Sequence, residues 1–290
     1  MRFQLIDAGT EKVPVPRLCK GLGVSPSGSF AGQSRPASRR QREDLVRLAP
    51  VRSAFALSNG TSGSPRMTRD LQDTGLAGGR RRTARLRRET GLRARQPRRF
   101  KRTTDSLHAV PVAPNLIAPD VSTERPDETG GADIRSIGTR EGWLSLAVVM
   151  DLFARRGVGW AVSDRLHKEG VLAALRRALV VRRPEVGLLH HSDRGRPSCS
   201  IESQAELRPH GVLISMSGKG NGYDHSMVET FFKTLKSELV WRTAFQTRAE
   251  ASQALARSID GFSNPVRRHS ALDFVSPAQF KRRTSQTALH

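Results

Sequence analysis

The feature that most limits what this chain can fold into is the stretch between about residues 131 and 261, where short apolar runs alternate with segments of helical period. Asp133 to Ile137 is a short alternating segment, Leu144 to Leu152 a nearly continuous apolar run, and Val158 to Val162 a third run, joined to the second through the turn Arg155-Arg156-Gly157. Strands linked this closely predict an antiparallel meander. Helical periodicity follows over Gly170 to Val181, then an apolar strand over Val186 to His191 and a helix from about Ser200 to His210. A strand over Val212 to Ser217 and helices over Ser226 to Leu239 and Arg248 to Gly261 complete the pattern. The order β-β-β-α-β-α-β-α-α predicts a mixed sheet carrying helices, an α/β domain over residues 131–285.

Residues 1–105 obey a different chemistry. The chain holds 49 Lys and Arg against 27 Asp and Glu, a formal +22, and 25 of the basic but only 10 of the acidic residues fall in the first 125 positions. Solubility asks for far less charge, so the expected partner is a polyanion. The densest part runs from Arg80 to Arg102, with 11 Arg and Lys101 against the single acid Glu89. Arg80, Arg81, Arg82, Arg85 and Arg88 fall on a predicted helix and are candidate phosphate contacts, since each neutralised phosphate releases condensed counterions. A solvated basic linker is the plain alternative. Helix pairs are suggested by Val15 to Gly23 before the turn at Ser25-Pro26, and by Ser64 to Asp73 before the turn over Gly75 to Gly79, so residues 1–105 read as a helical, helix-turn-helix-like DNA-binding region. Two features count against its packing. Pro50 should interrupt the helix over Arg42 to Leu57, and the stripe Thr83, Leu86, Arg87, Thr90 is a poor core face. Residues 106–130, with Pro111, Pro114, Pro119 and Pro126 and no period, read as a linker.

Cys19 and Cys199, far apart and in no C-x-x-C pattern, predict free thiols and a reducing cytosol. Met1 to Lys12 shows no charged segment followed by an apolar one, and the longest apolar run is too short to span a bilayer, so the reading is cytoplasmic with no membrane contact.

Three acids stand where chemistry could use them: Asp133 on the first strand, Asp193 just past the fourth, and Glu229 on the first turn of the helix from Ser226. Taken singly each has a plain structural use, as a strand-end group, a turn former and a partner of the helix dipole. If the first and fourth strands are neighbours, the aspartates come side by side and a helix crossing the sheet edge adds the glutamate. Clustered carboxylates repel unless a cation holds them, and hard oxygen ligands suit Mg²⁺ or Mn²⁺. Two such ions can activate a water or a 3′-hydroxyl and stabilise the leaving oxygen of a phosphodiester. On the same helix, Met227, Val228, Phe231, Phe232 and Leu235 form the apolar face, and Lys233 and Lys236 lie with Glu229 at its polar border.

At these residues the sequence resembles the DDE transposases of bacterial insertion sequences, in the downstream-frame (OrfB) form of the insertion sequence three family, relatives of retroviral integrases. Thirty-five residues separate Asp193 from Glu229, Lys236 falls seven after the glutamate, and His191-Ser192-Asp193-Arg194-Gly195, Met216 to Asn221, Glu229 to Lys236 and Asn264 to Leu272 match the family pattern. The resemblance implies an RNase H-like catalytic core and two divalent metals on Asp133, Asp193 and Glu229. It also implies cleavage at element ends and strand transfer by the resulting 3′-hydroxyl. Lys236 would contact DNA, and Lys233 and Lys219 are further candidate DNA contacts. The implied partners are double-stranded DNA, an upstream-frame (OrfA) protein or fusion, and further copies of the chain on DNA, in a bacterial, nucleoid-associated setting. The histidines and cysteines do not assemble the zinc-binding domain of the integrase relatives, so no zinc is expected.

The chain departs from that pattern at particular positions. Arg135-Ser136 follow Asp133-Ile134 where Thr-Tyr is usual, Arg196-Pro197-Ser198 follow the second aspartate segment where Ser-Gln-Tyr is usual, and serine stands at 145, 203, 258 and 263 in place of tyrosine. A catalytically silent remnant that only binds DNA is therefore the alternative, and a stand-alone metal-dependent nuclease a third reading.

Overall fold

The computed structural model describes residues 2–10, 13–94, 113–116, 123–164, 168–193, 200–217 and 226–287. Its second half is built on a five-stranded sheet in the order β3-β2-β1-β4-β5. β1 (Thr129–Thr139), β2 (Gly142–Asp151) and β3 (Arg156–Ser163) form the expected antiparallel meander, because the links between them are too short for anything but hairpin connections. β4 (Leu189–Ser192) and β5 (Leu213–Met216) extend the sheet in parallel from the free side of β1. Parallel pairing needs a crossover, and the helices over Lys168–Arg182 and Ile201–Leu207 supply it.

The two faces of the sheet bury different helices. Ala132 and Ile134 of β1, with Ala147 and Val149 of β2, pack on Val171, Ala174, Leu175 and Ala178 of the Lys168–Arg182 helix. That helix lies unusually close: a Cβ on Gly159 would fall 2.3 Å from the Ala174 carbonyl oxygen, so only glycine allows the contact. On the other face Leu144, Leu146, Val148 and Met150 meet Val228, Phe231, Phe232 and Leu235 of the Ser226–Glu238 helix and Leu255 of the Arg248–Ser258 helix.

The chain's first half contains six helices among the described residues: α1 (Arg2–Gly9), α2 (Val15–Leu22), α3 (Pro26–Ser34), α4 (Arg39–Leu57), α5 (Ser64–Asp73) and α6 (Arg80–Glu89). Those of the second half are α7 (Lys168–Arg182), α8 (Ile201–Leu207), α9 (Ser226–Glu238), α10 (Arg248–Ser258) and α11 (Pro277–Thr287). Two expectations are corrected here. Pro50 does not interrupt its helix, since α4 runs through it. The missing hydrogen bond is offset by a capping box between Ser38 and Gln41 at the start and by burial of Val51 against Met67, Leu71 and Leu86. The stripe of α6 also packs despite its composition. Thr83 and Leu86 are buried, Thr90 Oγ1 donates to the Leu86 carbonyl at 2.8 Å, and the Arg87 guanidinium covers the Phe55 ring at 5.7 Å. α11, which the sequence reading left out, starts at Ser276-Pro277 with reciprocal bonds between Ser276 and Gln279 and places Phe280 5.1 Å from Phe153, centroid to centroid.

Ion pairs join the two halves. Arg268 bonds Asp70 and Asp73 of α5 as well as the Phe274 carbonyl, and Arg242 donates to the Asn59 carbonyl at 2.9 Å. Part of the expected linker is also anchored: the Pro114 carbonyl accepts from Met216 N of β5 at 3.3 Å. No helix among the described residues is long and apolar enough to cross a membrane.

Candidate active site

The parallel register of β1 and β4 sets Ala132 opposite Ser192, and Asp133 and Asp193 are the next residues of those two strand lines. The aspartates therefore stand side by side, Asp133 within β1 and Asp193 just past the end of β4. Asp133 lies opposite Val148 of β2 and so faces the α9 side, since cross-strand partners share a face. Two positions earlier on the same face stands Gly131, where a Cβ would fall 2.7 Å from Val228. This absence of a side chain lets α9 settle on β1 at Val228, and the next residue of α9 is Glu229. Behind Asp193, the buried ring of His191 ties β4 to β5 through Ser215 Oγ at 2.9 Å and Ser217 Oγ at 3.0 Å, which fixes the strand end that carries the aspartate.

Asp133 is 2% exposed. Its Oδ1 accepts from the Ile134 amide at 2.7 Å, and its Oδ2 lies 2.9 Å from Arg135 Nη2 yet accepts no hydrogen bond of adequate geometry. Chiefly through burial, this carboxyl is pushed up to about 7, with Arg135 and the Ile134 amide pulling it down and the charges of Asp193 and Glu229 pushing it up. Both other carboxylates are thus near enough to act on its ionisation. Lys236 of α9 faces the same place: burial and Arg135 hold its ammonium below the usual range, and Asp133 opposes them. Lys233 bonds Glu229 at 3.2 Å across one helical turn.

The remaining sequence candidates divide. Arg80, Arg81 and Arg88 are exposed on α6. Arg82 and Arg85 instead turn inward to α4, where Arg82 bonds Asp44 at 2.7 Å and Glu43 at 3.0 Å and Arg85 bonds Asp44 and Glu89. Their first use is to hold two helices together. Lys219 lies outside the described residues, as do Cys199 and the end of the basic run. Arg135, noted in the sequence two positions beyond Asp133, stands against that carboxylate in the structure. Ser215, a partner of His191 from the neighbouring strand, carried no local signal.

Among the described residues, no three His, Cys, Asp or Glu side chains close into a ready cage for an ion. Asp133 is turned onto Arg135 and Glu229 onto Lys233. The donor set nonetheless suits a hard divalent cation, because it consists of carboxylate oxygens, and one buried oxygen of Asp133 lacks a hydrogen-bond donor.

Comparison with known proteins decides the family. An integrase core domain model matches residues 124–222, a second integrase core domain model residues 229–284, and an HTH-like domain model residues 40–100. The chain is 34% identical over 287 residues to transposase InsF of insertion sequence IS3A from Escherichia coli K12, covering 97% of this chain and 98% of that protein. It belongs to the IS3 family of transposases. A 31 kDa protein of insertion element IS600 from Shigella sonnei is 38% identical, with 93% of this chain and all of that protein covered. The transposase of IS904 from Lactococcus lactis is 36% identical over 87% of this chain and 99% of its own length. The catalytic core domain of BIV integrase matches at a TM-score of 0.41 and 16% identity, over 57% of this chain and 99% of that one. By the family models, the sheet with its helices is an integrase core, α4 to α6 belong to an HTH-like DNA-binding domain, and the function is DNA transposition by a polynucleotidyl transferase.

Proposed function

We propose that Asp133, Asp193 and Glu229 are the catalytic carboxylates of this transposase and that they hold two Mg²⁺ or Mn²⁺ ions, with no zinc elsewhere in the chain. One observation carries the assignment: Asp133 is buried in a sheet face where the charges of Asp193 and Glu229 both act on it. A divalent cation bound there would offset the repulsion of the carboxylates and polarise the phosphodiester under attack. The chain's own residues do the rest. The sheet and Gly131 hold the acids in place, burial keeps bulk water from Asp133, and Lys236 and Lys233 hold the phosphate path along the polar border of α9. Exposed Arg80, Arg81 and Arg88 grip the duplex away from the reacting strand, and Lys219 is a further DNA contact. The active unit is an assembly of several copies on DNA, with an upstream-frame protein or fusion, in the nucleoid of a bacterial cytoplasm.

The test uses a labelled element end incubated with the full chain and Mg²⁺ or Mn²⁺, with Asp193→Asn as the blank. Metal-dependent joining is expected from the native chain and loss of at least about a thousandfold from the blank, the scale of a removed catalytic group. A native chain that binds the end but joins nothing would return the remnant reading, and joining by the blank would remove Asp193 from the centre.

A further inference from the structure

A second concentration of chemistry lies away from the carboxylates, in a cavity of about 120 Å³ where the N-terminal helices meet the core. Arg66 of α5, Arg155 of the turn between β2 and β3, and Arg267 and His269 of the segment after α10 line it, together with Thr230 and Thr234 of α9. Against three guanidiniums the wall offers one carboxylate, Glu238. Both oxygens of Glu238 are already taken by Arg267, at 2.7 and 2.8 Å. The other acid that acts on Arg66 is Asp70, and it is held by Arg268. Arg66 and Arg155 have no hydrogen bond or ion pair with any described residue, although burial holds both guanidiniums below their usual range. His269 Nε2 is buried without a partner as well.

An orphaned buried ring nitrogen is costly, and the two half-buried cations beside it have no acceptor among the described residues. A folded chain gathers such groups around one cavity when something anionic completes the set. The cavity has the volume of about four waters at roughly 30 Å³ each, enough for a tetrahedral oxyanion, and the planar guanidinium forks match phosphate oxygens. We propose that this junction pocket is a phosphate-binding site and that it takes a phosphate group of bound DNA. The DNA source follows from position. Arg66 belongs to the HTH-like domain, and Thr230 is one residue from Glu229 on α9, so the pocket lies between the helical domain and the carboxylates. That source rests on the proposed carboxylate centre, whereas the phosphate chemistry of the pocket does not.

The test compares the full native chain with Arg155→Gln in two measurements. In the first, inorganic phosphate is titrated at constant ionic strength against chloride while the melting temperature is followed. The native chain should be stabilised and Arg155→Gln should not, and the variant should melt higher than the native chain without phosphate because an unpaired cation has been removed. In the second, duplex affinity is measured against salt, and the variant's log-log slope should be shallower by about 0.9, one phosphate contact. A lost phosphate response with an unchanged slope would assign the pocket to free phosphate rather than DNA. No phosphate response in the native chain together with an unchanged slope would overturn the proposal. Arg66→Gln, on a different element, should reproduce both effects and replaces Arg155→Gln if that variant does not fold. None of these readouts depends on strand joining, so failure here leaves the carboxylate assignment standing and failure there leaves the pocket.

Discussion

Acidification is expected to expose His269. Burial, with Arg267, Arg66 and Arg155, pushes its imidazolium down to about 3 from an ordinary 6.5. A group whose folded pKa is depressed supports the fold above its unfolded pKa, and the support is lost as pH falls from about 6.5 toward 3. One extra proton bound by the unfolded chain across that window gives a slope of about 1.4 kcal/mol per pH unit, so the ring removes roughly 2 kcal/mol between pH 7 and pH 5. Asp133 works in the opposite direction in chelator-treated protein. Its folded pKa is raised to about 7 from 3.8, so its cost is relieved as pH falls, by a similar amount of roughly 2 kcal/mol. The native chain should therefore show a nearly flat stability between pH 7 and pH 5 that hides two opposed titrations. The charged groups facing His269 are Arg66, Arg155 and Arg267, with Glu238 held on Arg267. Urea unfolding with chelator present, for the native chain and His269→Gln, separates the terms. The difference in unfolding free energy between the two should shift by about 2 kcal/mol against the native chain from pH 7 to pH 5. Parallel curves across that range would show that the ring is not held neutral by its surroundings, and the physical reading of the pocket would fail with it.

Two further outcomes follow from the ion pairs. Arg135→Thr removes the guanidinium 2.9 Å from Asp133, and calorimetric Mn²⁺ affinity should rise about tenfold, a discounted fraction of the repulsion between a bound cation and a partly exposed arginine; an unchanged affinity would show that Arg135 leaves the site when metal enters. Asp44→Ala frees Arg85 from α4, leaves Arg82 held there through Glu43, and should lower the melting temperature without flattening the salt dependence of DNA binding, while Arg81→Ala and Arg88→Ala should each flatten it by about 0.9 and leave melting unchanged. The opposite assignment of effects would mean that the inward pairs open on DNA.

Much of the core was legible because its information is local. The alternating and continuous apolar runs gave strands within a few residues of β1 to β5, and the short links alone required the antiparallel meander. The neighbouring of the first and fourth strands, posed as a condition for pairing the aspartates, is the observed sheet order. What local pattern misjudged was tertiary compensation. Pro50 lies inside α4 because Val51 is buried beside it, and the weak stripe of α6 packs because its threonines satisfy their hydroxyls on backbone carbonyls. The junction pocket was out of reach for a different reason. Arg66, Arg155 and Arg267 are each separated by about a third of the chain, and only the docking of α5 on the core brings them to one wall.

The arginines also show where a charge count misleads. Arg82, Arg85, Arg182, Arg267 and Arg268 all pair with carboxylates inside the fold, so a reading that spreads the basic residues over a DNA-facing surface overstates the number available. Yet these networks withdraw at least as many acids as bases and leave the formal +22 untouched. The acids are the scarcer kind, 27 against 49, so internal pairing depletes them first. What remains outside is more uniformly cationic than the composition suggests. Such a surface repels itself when no polyanion is present, and DNA relieves that repulsion at the same residues it contacts. Folding and binding then draw on one set of charges: inward pairs on α4 and α6 hold the helical domain together, and the cations left over supply a field that a phosphate backbone alone completes.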